Sequence, residues 1–269
     1  MKKSLRNGII AVVMMGLLAL TGCGGNQSQP PANDGANNGA NAGEEKVLKI
    51  GSAIEYAPFE FMDKQQTPTG FDIDLMNEIA KDLGYTAKFE SSSFDGLVAA
   101  IGLGKYDAVI SAMTITDDRA KSVLFSDPYF ESAQIIAVKK GSAIKSEQDL
   151  KGKKVGVQQG TTGQFAVEDL GIDPRKFDTI GDAINDMMIG GSEAVVADTP
   201  TLYYFITQNP NMDIEIIPSA FEKEYFGIAF KLDNKELADQ VNATLKKFMD
   251  NGKYNEIYKK WFNEDAPKF

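Results

Sequence analysis

The stretch Tyr225-Phe226-Gly227-Ile228-Ala229-Phe230 decides how this chain is organised. Its near-continuous apolar run predicts one strand buried on both faces. It follows two rounds of strand and helix alternation, and only helices come after it, over residues 235–249 and 254–262 with a break at Gly252. A strand that returns so late is most simply explained if the chain goes back to complete the lobe it began with. Two crossovers then join the lobes, near residues 129–133 and 222–226, and such a two-segment connection is a hinge.

The first round opens at residues 46–52, where Val47, Leu48 and Ile50 mark a strand ended by Gly51-Ser52. A helix is expected over 70–84, with Leu75, Met76, Ile79, Ala80 and Leu83 on one face and Gly84 closing it. Asp72 and Asp74 at its start read as caps and dipole partners rather than metal ligands. Residues 87–90 predict a strand, 95–103 a helix, 108–110 a strand and 132–139 a buried strand. From Leu150 the pattern restarts, with strands at 155–157, 177–180 and 193–197 and helices at 164–170, 183–189 and 199–207. The expected fold is α/β and two-lobed, each lobe a mainly parallel sheet flanked by helices. Residues 46–130 and 227–269 would form one lobe and 131–226 the other. Ligands of such proteins sit in the cleft, outside the carboxyl ends of the strands.

Composition removes whole classes of chemistry. The 269 residues contain no histidine and one cysteine. Histidine-based triads, His-ligated zinc and intrachain disulfides are therefore excluded. A net charge of -10 argues against nucleic acid as a partner, since phosphate backbones are bound through Lys/Arg patches. No cofactor, metal or catalytic residue is assigned.

The amino terminus has the layout of a secretory signal, with basic residues Lys2, Lys3 and Arg6, an apolar run over 8–20, then Leu20-Thr21-Gly22-Cys23. Residues 1–22 read as a signal peptide. The tetrad resembles the bacterial lipobox, which implies that Cys23 carries a diacylglyceryl group and anchors the chain outside the cytoplasm; the alternative is an uncleaved anchor helix. Residues 23–45, rich in Asn, Gly, Gln, Pro and Ala, read as a flexible tether.

Within the first round, residues 107–119 run Asp-Ala-Val-Ile-Ser-Ala-Met-Thr-Ile-Thr-Asp-Asp-Arg. A short strand passes through small and hydroxylated residues to an arginine in the first turn of a helix. Backbone N–H groups, hydroxyls and a guanidinium in one corner suit a carboxylate. For an arginine taken alone, a surface side chain capping its own loop is the plainer reading.

The region over 46–262 resembles the family 3 extracellular solute-binding proteins, the amino acid receptors of ATP-driven importers. The carrying segments are Tyr56-Ala57-Pro58-Phe59-Glu60, Gly70-Phe71-Asp72-Ile73-Asp74-Leu75, Phe94-Asp95-Gly96-Leu97, the run over 111–119, Phe125-Ser126-Asp127-Pro128-Tyr129, Gly160-Thr161-Thr162-Gly163, Ala197-Asp198-Thr199-Pro200 and the run over 251–262. The resemblance implies that Arg119 grips the ligand α-carboxylate, helped by Thr114, with Met113 and Ser111 contributing around the backbone. It nominates Thr161 for the same carboxylate, Asp198 for the α-ammonium, and Tyr56 and Phe94 as aromatic walls. For the two aromatics, core packing is the competing role.

Ligand identity stays open between glutamine and arginine or lysine. Basic and glutamine receptors of the family it resembles commonly carry Asp or Glu where this chain has Ala53; Glu55 would share its face if strand geometry persisted and could substitute, the alternative being a solvent-facing loop carboxylate. The partners implied are a free polar amino acid and a membrane permease, with the chain itself a monomer. The competing functions are a dehydratase-type enzyme on the same fold and a sensory amino acid-binding domain.

Overall fold

The computed structural model describes residues 46–218 and 221–267. The signal, the lipobox with Cys23 and the tether lie outside the described residues. Among those described, no helix is long and apolar enough to cross a membrane.

In chain order the first half comprises β1 (Val47–Ser52), β2 (Phe61–Met62), β3 (Pro68–Thr69), α1 (Phe71–Asp82), β4 (Thr86–Ser91), α2 (Leu97–Gly102), β5 (Ala108–Val109), α3 (Asp117–Ala120), β6 (Leu124–Phe125) and β7 (Phe130–Lys139). The second half comprises β8 (Val155–Gln158), α4 (Thr162–Asp169), β9 (Arg175–Phe177), α5 (Ile180–Met188), β10 (Ala194–Asp198), α6 (Thr199–Gln208), β11 (Ile214–Ile217), β12 (Lys223–Phe226), β13 (Ala229–Phe230), α7 (Lys235–Asn251) and α8 (Lys253–Phe262).

Two sheets organise the lobes. The first runs β4-β1-β5-β13-β6 and the second β11-β7-β10-β8-β9. In the first, β1 is parallel to β4 and β5, and only β13 runs against its neighbours. In the second, β8, β9 and β10 are parallel and only β7 opposes its partners β10 and β11. Each reversed strand, β7 or β13, lies at or just after a crossing of the chain between lobes. β8 and β10 are buried at every position, as strands covered by helices on both faces should be. α7 closes the first lobe with Leu237, Ala238, Val241, Thr244, Leu245 and Phe248 buried at helical spacing.

The two crossing segments pair with each other. Phe130, Glu131, Ser132 and Ala133 of β7 face Phe226, Tyr225, Glu224 and Lys223 of β12 in an antiparallel ladder. Phe130 and Phe226 stack with ring centres 5.6 Å apart, and Phe59 meets both edge-on.

The stretch over 225–230 departs from the single strand predicted. It is two short strands in different ladders, because the chain leaves β7 at Phe226 and joins β5 at Ala229. Gly227 permits the transfer: its N–H bonds Met113 O at 3.0 Å, and a Cβ there would stand 2.8 Å from Ile115 Cγ1. The sequence pattern also missed β11 and the β2–β3 hairpin, whose two-residue strands are too short to show alternation.

Candidate functional site

The corner predicted at residues 107–119 forms as a chain of local bonds. Past β5, Ile110 N donates to Gly51 O, and Ala112 takes a positive φ of 43°. Such a conformation costs of order 1–3 kcal/mol for a residue with a Cβ, so its surroundings must hold it. Here the Ala112 N–H is bound by Asp72 Oδ2 at 2.7 Å. Thr116 caps α3, its hydroxyl accepting from Arg119 N at 3.2 Å.

Arg119 is thereby fixed on a helical turn of four residues, and it is 8% exposed. Its Nη1 donates to Thr114 O at 2.7 Å, its Nη2 reaches Gly160 O in the second lobe at 2.9 Å, and the guanidinium lies over the Phe94 ring at 5.3 Å. Burial lowers its pKa to about 10, while the charges of Glu224 and Asp198 oppose the shift. It stays a cation at any physiological pH.

The second lobe presents its own groups at the carboxyl ends of β8 and β10. Gly160 sits at φ +78°, and a Cβ there would meet Asp95 of the first lobe at 2.9 Å, so close approach of the lobes needs glycine. Asp198 ends β10 and is 5% exposed. Tyr56 Oη donates to its Oδ2 at 2.6 Å from the first lobe; Ser132 Oγ and Gln134 Nε2 donate to Oδ1 at 2.9 and 3.1 Å. Burial, and then the charge of Glu224, raises the Asp198 pKa to about 6 against those hydrogen bonds.

These residues line one cavity, with Tyr56, Phe94, Ala112, Thr114 and Arg119 from the first lobe and Gln158, Thr161, Thr162 and Asp198 from the second. Its free volume is about 10 Å³, room for about one water. The lobes are closed on each other, and anything larger than a water enters only when they part.

Of the predicted site residues, Arg119, Asp198, Thr114, Thr161, Tyr56 and Phe94 all line this cavity. The Thr161 hydroxyl, however, is committed to its own backbone, donating to Gln158 O at 2.8 Å and capping α4 by accepting from Gln164 N at 3.3 Å. The neighbouring Thr162 hydroxyl faces Thr114 Oγ1 across the cleft at 3.3 Å. Ser111 and Met113 are outside the lining. Ser111 Oγ accepts from Ala53 N at 3.0 Å and donates to Glu60 Oε1 at 2.7 Å, and Met113 is fully buried beside Phe94 and Leu97. The strand geometry invoked for Glu55 stops at Ser52, where a tight turn (Glu55 N to Ala53 O, 2.7 Å) takes over. Glu55 is exposed at the cleft, its pKa raised by partial desolvation and then by Asp178 and Asp182 of the second lobe.

The capping role expected of Asp72 is overturned. No side chain caps α1, and Asp72 is fully buried, accepting from Ala112 N and from Tyr129 Oη at 2.8 Å. Its carboxyl is also hydrogen-bonded to that of Glu60, and Glu60 Oε2 and Asp72 Oδ1 have no other donor among the described residues. Asp74 bonds Lys260 Nζ and Trp261 Nε1 instead. Burial, then the charge of Asp72, raises Glu60 well above the carboxylate range, which favours the protonated form, a donor toward Asp72.

Glu60→Gln supplies an amide donor in place of that proton, and ligand affinity is expected to stay within about threefold. A carboxyl raised on folding favours the fold at low pH and loses that advantage as pH rises. Wild type should therefore lose more stability than Glu60→Gln between pH 5 and pH 8 in denaturant titrations. Asp72→Ala should cost about 2–4 kcal/mol, because it strands the Ala112 N–H and the Tyr129 hydroxyl.

Sequence reasoning did not single out Thr162 and Gln158, which line the cavity, or Gln134 and Glu224, which hydrogen-bond residues that do. Thr162 was legible in principle, since an N-cap hydroxyl at Thr161 turns inward on its own helix and leaves the next residue facing out. Among the described residues no group of three or more acidic or thiol side chains could hold a metal ion.

Residues 48–264 match the bacterial extracellular solute-binding proteins, family 3. A protein of Neisseria gonorrhoeae named "Probable histidine-binding protein" is 37% identical over 270 residues, covering 98% of each chain. The "ABC transporter glutamine-binding protein GlnH" of Bacillus subtilis (strain 168) is 38% identical over 202 residues, 73% of each chain. Among solved structures, "An ancestral arginine-binding protein bound to glutamine" superposes with a TM-score of 0.79 at 43% identity, covering 82% of this chain and 99% of that one. Matched along most of its length and closed around a charged cleft at the ends of two sheets, the chain belongs to the bacterial extracellular solute-binding proteins, family 3.

Proposed function

We propose that this chain is the extracytoplasmic binding component of an ABC importer for polar amino acids, with residues 46–130 and 227–269 as one lobe and 131–226 as the other. The observation that carries this reading is the placement of Arg119 and Asp198. They are buried, opposite in charge, one in each lobe, and they line the same cavity. A zwitterion entering a closed cleft loses its hydration, so each of its charges needs a fixed partner. Arg119 takes the α-carboxylate through the N–H groups it does not spend on Thr114 O and Gly160 O. Asp198 takes the α-ammonium. Because the two partners meet only on closure, ligand binding shifts the population toward the closed form that a permease recognises.

A thermal-shift screen of the twenty amino acids on the purified protein tests this, since a ligand that binds only the folded state raises the midpoint. Glutamine, arginine, lysine or histidine should raise it; no shift with any amino acid would overturn the reading. The lipid anchor is proposed on the lipobox alone. Cys23→Ala should appear in the soluble extracytoplasmic fraction, and a variant that stays with the membrane would count against lipidation.

A further inference from the structure

We infer that Glu224, carried on the hinge strand β12, is a second ligand-binding carboxylate that joins Asp198 in receiving the α-ammonium of the amino acid. The inference rests on the zwitterion reading above and adds a residue to it.

Glu224 stands opposite Ser132 in the hinge ladder, and directly opposed residues of an antiparallel pair share a face. Ser132 Oγ reaches Asp198, so the face Glu224 shares is the one turned to the cleft. Glu224 Oε2 accepts from Thr114 Oγ1 of the first lobe at 2.9 Å, and from Thr162 Oγ1 and Gln134 Nε2 of the second at 2.7 and 3.3 Å. Gln134 Nε2 is the same atom that donates to Asp198 Oδ1, so one amide tethers both carboxylates. Among the described residues, no lysine or arginine stands within ion-pairing distance of either.

The charges do not balance. Arg119 is one cation facing two carboxylates, and its field is felt with both. An excess negative charge in a closed cleft is costly until a cation joins it. An α-ammonium brings one charge and three N–H donors, enough for Asp198, Glu224 and a hydroxyl oxygen. Its position on the hinge gives Glu224 a second consequence. It reaches hydroxyls of both lobes only in the closed form, so ligand gripped by Glu224 is coupled to closure.

The groups facing Asp198 are Tyr56, Ser132, Gln134, Glu224 and Arg119. Of these, Glu224 supplies the charge that raises the Asp198 pKa, after burial. Removing that charge lowers it. Glu224→Gln therefore has two separable effects: weaker binding at neutral pH and an acid limit moved to lower pH.

Isothermal titration of the full chain with L-arginine, L-lysine, L-histidine and L-glutamine, from pH 5 to pH 7.5, tests the assignment. At pH 7.5, Glu224→Gln should weaken every one of these ligands that wild type binds by a similar factor, about 10- to 100-fold. Its affinity should also begin to fall at lower pH than in wild type. Glu224→Asp, which keeps the charge, should retain the wild-type acid limit. Unchanged affinity in Glu224→Gln overturns the proposal. So does a loss confined to ligands with cationic side chains, which would place Glu224 at the side-chain end, as a Glu55→Gln comparison would show. A uniform loss with an unmoved acid limit marks a hinge latch and also overturns it. Absence of wild-type binding sinks the zwitterion reading and this proposal together, whereas intact wild-type binding with an indifferent Glu224→Gln sinks this proposal alone.

Discussion

Arg119→Ala is expected to lower amino acid affinity by at least about a hundredfold, for every ligand alike. Among the described residues the guanidinium is the sole cation lining the cavity, and it is held by Thr114 O, Gly160 O and the Phe94 ring. Removing one partner of a buried ion pair costs about 3–5 kcal/mol, because the other charge is left desolvated and unpaired. In this variant the stranded charge would be the ligand's carboxylate, which then prefers water. Closure also weakens, since the Nη2 bond to Gly160 O is one that ties the lobes together. Arg119→Lys should recover only part of the loss, as an ammonium cannot serve two carbonyls and a carboxylate with fixed planar geometry. Titration calorimetry with the ligand found by thermal shift measures the effect. Affinity retained within threefold in Arg119→Ala would remove the basis of the zwitterion reading.

Asp198 should make binding pH-dependent in one direction. Its pKa is raised to about 6 by burial, then by Glu224, so in the closed, ligand-free protein the carboxylate is protonated below that pH. An ammonium is bound by the ionised form and must displace the proton. Affinity should therefore be flat above about pH 7 and fall by up to tenfold per unit below about pH 6. Asp198→Asn should bind at least about a hundredfold more weakly at pH 7.5, and its residual affinity should lack the acid limb. The readout separates this group from Glu60, whose raised carboxyl makes stability, not affinity, fall as pH rises. A wild-type affinity constant from pH 5 to pH 7.5 would exclude Asp198 as the ammonium partner.

Local signals framed the two charged candidates, but the family resemblance, not the local pattern, assigned them to a ligand. Arg119 lies within a dozen residues of β5, and a Thr116 cap places it on a helical turn. Asp198 closes an apolar strand and precedes Pro200 at the start of α6. The elements that carry them are local, while their convergence on one cavity joins the two lobes. Thr161 illustrates the limit, because Thr161 and Thr162 are chemically equivalent in sequence and only cap geometry decides which hydroxyl turns to the cleft.

Asp72 and Glu224 mark what local pattern could not supply. An aspartate at a helix start looks like a cap until Ala112, Tyr129 and Glu60 converge on it from residues 40, 57 and 12 positions away. Glu224 looks like a solvated charge beside Lys223 until the hinge ladder sets it opposite Ser132.

By itself, then, the sequence determined the alternation of elements, the two-lobed α/β class and the corner that holds Arg119. These depend on periodicity, caps and spacing along the chain, which act over one or two turns. Tertiary structure alone decided where the stretch over 225–230 divides, which carboxyls are buried, and that the hinge residue Glu224 hydrogen-bonds two hydroxyls of the cavity lining. Those outcomes depend on strand register and lobe closure, which join residues more than 40 positions apart and leave no periodic trace.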